Sequence, residues 1–158
     1  MALFDAILHK NSVHDICKVI QQTNDINALG IGEMTPLMLA IETNYYELVS
    51  ILLKNGADVN RQEYFGRNCL HLAVENLAPP GIIALLLDKK PRMDTVCIND
   101  DMHPLALATR PNDLVTADLL LAAGAEVDFE PAPHVGPALR VGNGRFRLLW
   151  LIWIHGAD

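Results

Sequence analysis

The stretch Thr35-Pro36-Leu37-Met38-Leu39-Ala40 decides the fold, because weaker copies of it recur at a nearly constant distance along the chain. The copies read Asn-Cys-Leu-His-Leu-Ala at 68–73 and His-Pro-Leu-Ala-Leu-Ala at 103–108, so the final alanines are spaced by 33 and 35 residues. A second string, Gly-Ala-Asp-Val-Asn at 56–60, is echoed in phase at 25–27, 124–128 and 156–158. A period of about 33 residues indicates a repeat protein whose units stack on one another.

Each unit predicts two antiparallel helices followed by a polar loop. Thr35 is a favourable N-cap, and Pro36 suits the first helical position, where its missing N–H costs nothing. A second apolar stripe follows, and Gly56 supplies the left-handed residue that ends this helix. The same pattern along the chain predicts helices over residues 3–9, 13–22, 36–43, 47–54, 69–76, 81–89, 104–110, 113–122 and 147–155.

The repeats form a single domain of five units, at residues 1–29, 30–62, 63–97, 98–130 and 131–158. The later units depart from the pattern. Residues 90–94 replace the glycine-capped string, and His103 stands where the capping threonine belongs, a loss that typically costs about 1 kcal/mol. Residues 148–154 have no polar outer face, so we expect further repeats, a partner or a second copy to cover this last, truncated unit.

These strings resemble the ankyrin repeat: TPLMLA, NCLHLA and HPLALA, with GADVN in phase, match its pattern over nearly the whole chain. The resemblance implies an all-α solenoid of stacked antiparallel helix pairs joined by β-hairpin or loop fingers. It also implies a non-catalytic protein–protein interaction module that docks a protein partner on a concave groove. The alternative is an adaptor or scaffold segment of a longer protein, such as a ubiquitin-ligase adaptor or a microbial effector, whose activity lies outside this chain.

The composition and the charge of the chain argue against several other classes of protein. The chain has 158 residues with 12 basic and 19 acidic side chains, and its net charge of −7 disfavours general nucleic-acid binding, which needs a basic face. The longest apolar run, residues 148–154, is far shorter than the roughly 20 residues that cross a membrane. Residues 1–10 do not resemble a secretory signal. We therefore expect a cytoplasmic or nuclear protein that binds neither nucleic acid nor membrane.

No motif in the sequence indicates catalysis, a metal site or a cofactor. The three cysteines include no CxxC pair, and nucleophile, phosphate-loop and HExxH motifs are missing. The resemblance to ankyrin repeats implies that His71 supports hairpin hydrogen bonds. Cys97 falls in a predicted hairpin loop, where a thiol can be exposed but lacks an activating base. An enzyme that uses His71 or Cys97 is the third alternative, and we expect a protein that is not an enzyme.

The candidate docking surface is centred on the second hairpin. Tyr64 and Phe65 lie beside Arg61 and Arg67 at its predicted tip, and this composition is typical of interface hot spots. The alternative is that Phe65 packs on the adjacent hairpin. In ankyrin stacks the hairpin tips and the first helices line the concave face, so the resemblance implies these partner-binding residues: Arg61, Gln62, Tyr64, Phe65, Arg67, Met38, Glu42, His71, Glu75 and Arg110.

Acidic side chains are concentrated between residues 94 and 130, where eight of them stand against a single basic residue, Arg110. Such a stretch can simply keep an apolar chain in solution. The alternative is a landing site for a basic segment of a protein partner, which would be attracted electrostatically.

One residue is a candidate for modification. Asn60 ends the GADVN string, and Leu52 precedes it by eight residues, which resembles the ankyrin repeats that an asparaginyl hydroxylase modifies. The same pairing is common in ankyrin repeats that are not modified. A purely structural role for Asn60 in its turn is therefore the alternative.

Overall fold

The computed structural model describes residues 2–9, 12–23, 25–98, 102–109 and 113–125. The α-helices of these residues form four pairs: α1 (Ala2–Leu8) and α2 (Val13–Gln22), α3 (Pro36–Glu42) and α4 (Tyr46–Lys54), α5 (Cys69–Glu75) and α6 (Pro80–Leu87), α7 (Pro104–Thr109) and α8 (Leu114–Ala122). A 3₁₀ turn spans Ile31–Glu33. No residue in the described ranges belongs to a strand.

The helix pairs stack into two layers. The first helix of each pair packs on the first helix of the next, from α1 through α3 and α5 to α7, and the second helices stack in the same order from α2 to α8. The predicted all-α repeat fold is confirmed, and each helix boundary lies within two residues of the expected one. The predicted helix over 147–155 lies outside the described residues, as does the fifth unit.

The core lies between the two layers and is built from the repeated apolar positions. Ala40, Ala73 and Ala108 are fully buried, and their small side chains let neighbouring helices approach closely. Leu37 and Leu52, on facing helices of the second unit, are also sealed from solvent. Burying one such leucine contributes about 1.5–3 kcal/mol, so the apolar repeat pattern accounts for the stacking.

The first helices begin at side-chain caps, although the capping residue differs between repeats. The side-chain oxygens of Thr35 and Asn68 accept hydrogen bonds from backbone N–H groups in the first turn of α3 and α5. At the start of α7, Nδ1 of His103 accepts a hydrogen bond from the N–H of Ala106 at 3.2 Å. The expectation that His103 leaves this helix uncapped is therefore wrong, because the imidazole nitrogen takes the place of the hydroxyl.

The second helices α2, α4 and α6 each lead into a loop that we call a finger: finger one is residues 25–34, finger two is 58–67 and finger three is 92–98. In finger two, the N–H of Glu63 donates to the carbonyl oxygen of Arg67 at 3.0 Å and closes the turn. Corresponding backbone bonds close the two neighbouring fingers.

Backbone hydrogen bonds also join successive fingers. The N–H of Tyr64 donates to the carbonyl oxygen of Gly32 at 3.2 Å, and the N–H of Ile98 donates to that of Phe65 at 2.8 Å. The tips of the three fingers are therefore held side by side, in an order set by the stacking of the repeats.

Asparagine side chains tie the bases of the fingers together. Oδ1 of Asn27 accepts a hydrogen bond from the N–H of Asp58 at 2.8 Å, and Oδ1 of Asn60 accepts one from the N–H of Arg92 at 2.7 Å. Nδ2 of Asn68 donates to the carbonyl oxygen of Arg92 at 3.0 Å. The backbone of Arg92 is thus held on both sides, which fixes the start of finger three.

The irregular sequence at 90–94 keeps the shape of the regular turn that it replaces. Lys90 has a φ of 51°, in the left-handed region that Gly56 occupies one repeat earlier with a φ of 88°. Pro91 is buried, as Ala57 is at the corresponding position. The chain therefore makes the same turn without a glycine, at the cost of a strained lysine.

Candidate functional site

Finger two presents two aromatic side chains to solvent. Tyr64 is 67% exposed and Phe65 is 42% exposed. Their ring centroids are 5.3 Å apart and the ring planes meet at 85°, an edge-to-face arrangement in which aromatic rings attract each other. The sequence predicted this exposed pair, and the structure adds that the two rings support one another.

Arg67 packs against the aromatic pair through the ring of Phe65. Its guanidinium carbon lies 5.3 Å from the centroid of the Phe65 ring, within the range of a cation–π interaction. Nε of Arg67 is 3.0 Å from a carboxylate oxygen of Glu63, and Nη1 is 2.6 Å from one of Glu75. Arg67 was expected on the docking surface at the finger tip; it is half-buried, and its guanidinium is committed to these two carboxylates.

Glu63 anchors this network and was missed by the sequence analysis. Its side chain is only 3% exposed, and Oε1 accepts hydrogen bonds from both the N–H and Nε of Arg67. Burial alone raises the pKa of a carboxyl, but the bonds from Arg67 and from backbone N–H groups outweigh it and hold the pKa of Glu63 below its ordinary value. The signal in the sequence was an acid four residues before an arginine.

The remaining predicted residues of finger two are exposed. Arg61 and Gln62 both face solvent. Nε2 of Gln62 donates to the carbonyl oxygen of Gly66 at 2.7 Å, so this side chain also holds the turn beneath the aromatic pair. Arg61 makes no ion pair within the described part of the chain and is available to a ligand.

On the first helices the predicted residues divide into two groups. Glu42 and Glu75 end α3 and α5 at corresponding positions, Glu42 exposed and Glu75 bound to Arg67. Met38 and His71 are fully buried, so their predicted place on the docking surface is wrong. Both lie in the first turn of their helix, on its buried side. Arg110 lies outside the described residues.

The buried His71 has the structural role that was expected of it. Its Nε2–H donates to the carbonyl oxygen of Met102 at 3.2 Å, and Nδ1 accepts from the N–H of Asn68 at 3.3 Å. Burial lowers the pKa of His71 to about 4, although bonds to the carbonyls of Met102 and Thr95 oppose the shift. A neutral, enclosed imidazole joins α5 to the base of finger three.

Nothing in the described ranges resembles a reaction centre. Cys97 was predicted in a hairpin loop, where a thiol can be exposed, but it is only 3% exposed. Cys69 is buried as well, and burial raises the pKa of its thiol. No three His, Cys, Asp or Glu side chains of the described residues come together as a metal site requires. None of the described helices is long and apolar enough to cross a membrane.

The acidic stretch between residues 94 and 130 is partly used inside the fold. Asp113 caps α8, because its two carboxylate oxygens accept bonds from the N–H and the hydroxyl of Thr116 at 3.1 and 2.6 Å. Asp94 lies 3.5 Å from Arg92 in an exposed ion pair. Asp100, Asp101 and the acids after residue 125 lie outside the described residues.

Asn60, the residue proposed for hydroxylation, and Leu52, the leucine that precedes it by eight residues, differ in burial. Leu52 is fully buried in α4, whereas Asn60 is exposed at the base of finger two. The side chain of Asn60 is already engaged by Arg92, which gives it a structural role in the folded chain.

A family model supports the fold and its repeat pattern. The model for ankyrin repeats (3 copies) matches residues 3–95, a range that contains all but the first residue of α1, the helices α2 to α6 and the first two fingers. The braced aromatic pair of Tyr64 and Phe65 lies within this match.

Curated relatives from different organisms each match about three quarters or more of the chain. It is 32% identical over 128 residues to the nuclear factor NF-kappa-B p105 subunit of Gallus gallus, covering 78% of this chain and 13% of that protein. It is 32% identical over 130 residues to the phosphocholine transferase AnkX of Legionella pneumophila, covering 80% and 14%. For protein lin-12 of Caenorhabditis elegans the identity is 30% over 124 residues, covering 76% and 9%. The chain thus spans less than a sixth of the length of each of these relatives.

Proposed function

The chain belongs to the ankyrin-repeat family, and from this premise we propose that it is a non-catalytic module that docks a protein partner on finger two and the neighbouring ends of the first helices. Ankyrin repeats are generally protein–protein interaction modules. The observation that carries the proposal is the exposed pair of Tyr64 and Phe65, held in place by Arg67.

An exposed aromatic pair of this kind is suited to binding. Tyr64 and Phe65 contribute little to the core, since large parts of both side chains remain in contact with water. Large aromatic side chains supply much of the binding energy at protein interfaces. Because Arg67 and the edge-to-face contact already fix the rings, a partner would lose less conformational entropy on binding them.

The charge around the pair favours a partner with a basic segment. Arg67 carries one positive charge between two carboxylates, so the trio with Glu63 and Glu75 is negative as a whole. Glu42 adds a further exposed carboxylate at the corresponding end of α3. The acidic stretch at 94–130 is proposed to extend this attraction, which would raise the rate of encounter more than the final affinity.

A double substitution tests the proposal. Tyr64→Ala combined with Phe65→Ala should weaken binding of a protein captured with the wild-type chain by more than about 1 kcal/mol, which is more than about fivefold in Kd. Isothermal titration gives the Kd. The thermal midpoint should barely change, because both rings lie outside the core.

Tyr46→Ala is the matched control, since Tyr46 is also an exposed aromatic but starts α4, at the opposite end of that helix from finger two. Its binding should equal that of the wild type. An unchanged Kd in the double variant, or a collapse of its thermal midpoint, would overturn the proposal.

The alternative proposal is that the module serves as an adaptor or scaffold segment, as in a ubiquitin-ligase adaptor or a microbial effector. It is supported by the relatives, in which the matched repeats make up between 9% and 14% of a longer protein. Sequencing of the full-length transcript distinguishes the two: an additional catalytic or recruiting domain in the same chain supports the adaptor.

Hydroxylation of Asn60 is a separate proposal. Only the asparagine of the Leu52–Asn60 pair is accessible in the folded chain, so an enzyme that reads both residues would need the repeat to open locally. Incubation with an asparaginyl hydroxylase should add the mass of one oxygen atom to the peptide that contains Asn60. An unchanged peptide mass dismisses the proposal.

A further inference from the structure

The aromatic pair of finger two continues into finger three through Ile98. The N–H of Ile98 donates to the carbonyl oxygen of Phe65 at 2.8 Å, which places the two residues side by side. A Cβ atom added to Gly66 would lie 3.0 Å from Cγ1 of Ile98, so the isoleucine side chain lies directly across this glycine. Gly66 thus leaves the space that brings the fingers into contact.

Ile98 remains open to solvent in this position. It is 69% exposed, the largest value among the exposed large apolar side chains of the described residues. We call Tyr64, Phe65 and Ile98 the finger ridge. Leu29 on finger one and Val96 on finger three are also exposed apolar residues. An isolated exposed isoleucine needs no explanation, but an apolar ridge that spans two fingers is typical of an interaction surface.

The charges near the ridge restrict what can bind there. The described fingers carry five acidic side chains, Asp25, Glu33, Asp58, Glu63 and Asp94, against three basic ones, Arg61, Arg67 and Arg92. Arg67 is held by its two carboxylates and Arg92 lies beside Asp94, which leaves the surroundings of the ridge negative. Acidic segments, phosphates and anionic membranes would be repelled.

We propose that the finger ridge binds an extended peptide segment of a partner that places one bulky apolar side chain between Phe65 and Ile98 and carries lysine or arginine residues on either side of it. The inference rests on the proposed function and adds to it the second finger and the chemistry of the ligand. The apolar contact supplies the affinity, whereas the flanking cations match the carboxylates of the fingers.

Selection from random peptides displayed on phage tests the ligand chemistry without knowledge of the partner. The probe is the immobilised 158-residue chain. Selected peptides should share one bulky apolar residue with lysine or arginine within a few positions, and high salt should weaken their binding. The inference is overturned if the selected peptides are acidic, or if no peptide is selected.

Ile98→Ala tests the second finger, with Val115→Ala as the matched control. Both are exposed β-branched residues, but Val115 lies at the start of α8, away from the fingers. Ile98→Ala should weaken a selected peptide at least fivefold with an unchanged thermal midpoint, and Val115→Ala should have no effect. If peptides need Tyr64 and Phe65 but not Ile98, the inference fails while the proposed function stands. If they need none of the three, both fail.

Discussion

At the level of a single residue, the left-handed backbone of Lys90 lowers the stability of the fold. Lys90 has a φ of 51°, which costs a non-glycine residue about 1–2 kcal/mol, whereas glycine adopts it freely. Lys90→Gly should therefore raise the free energy of unfolding by about 0.5–1 kcal/mol, because the extra entropy of an unfolded glycine offsets part of the gain. Urea denaturation measures the change.

Gly56→Ala is the counterpart of this substitution. A Cβ at Gly56 would meet no atom within 4 Å, so its cost would come from the backbone alone. We expect a loss of about 1 kcal/mol. A destabilised Lys90→Gly variant would show that the lysine side chain has a stabilising role that outweighs its backbone strain.

His71 makes stability depend on pH. Its pKa is about 4 in the folded chain and about 6.5 when unfolded, so between these values the unfolded chain binds a proton that the folded chain excludes. The contribution of His71 to the free energy of unfolding is complete above about pH 6.5 and is lost as the pH falls toward 4. Going from about pH 7.5 to about pH 5 should cost about 2 kcal/mol in free energy of unfolding.

Urea denaturation of wild type and His71→Gln at both pH values checks this assignment. Glutamine can still donate to the carbonyl of Met102 but does not titrate, so the variant should show a flatter dependence on pH, whatever its stability at neutral pH. The lowered pKa of Glu63 also makes the free energy of unfolding fall as the pH falls. This effect begins only below the ordinary carboxyl pKa of 4.5, which is outside the range between the two pH values compared. Parallel pH curves for the two proteins would contradict the assignment.

At the level of elements, the asparagine bonds predict that the fingers stabilise one another. Asn60→Ala removes the acceptor for the N–H of Arg92, and the loss of one hydrogen bond of this kind costs about 1 kcal/mol. Asn27→Ala should cost a similar amount, since it removes the corresponding bond to Asp58. Chemical denaturation measures both losses.

Asn60→Asp is the matched control, because aspartate keeps the acceptor oxygen, and it should retain more than half of the stability that Asn60→Ala loses. Equal losses in the alanine and aspartate variants would show that this hydrogen bond is not the source of the effect.

Helices and fingers were predictable from the sequence to different degrees. The helices follow from local signals such as the cap at Thr35, the proline after it and the apolar period, and these locate each boundary within two residues. The exposure of Tyr64 and Phe65 was also predicted, since the core pattern gives them no place. Neither the helix boundaries nor the exposure of this pair depended on distant parts of the chain.

What the sequence did not predict depends on contacts that form only when the loops and repeats are folded together. His71 and Met38 are polar or flexible residues at positions that look accessible on a single helix, but the next repeat covers them. The two carboxylate partners of Arg67 were not predicted, because they are identified only once the turn is closed. Ile98 follows Phe65 by 33 residues, so the repeat period contained the signal for the ridge.

For the whole molecule, the stack of repeats acts as a frame that fixes fingers two and three relative to each other. The helices bury the apolar positions, and the backbone bonds between Gly32, Tyr64, Phe65 and Ile98 hold the finger tips in order. An exposed apolar surface is thereby kept rigid on a chain whose net charge is −7. The docking surface that we propose is this row of fingers.

NMR titration of the labelled chain with a captured partner tests whether the fingers form the docking surface. Side-chain resonances of residues 61–67 and 96–98 should shift on binding, together with those of Glu42, while the resonances of α4 and α6 should stay in place. Shifts confined to the second helices, with the aromatic resonances of Tyr64 and Phe65 unchanged at saturation, would contradict the account.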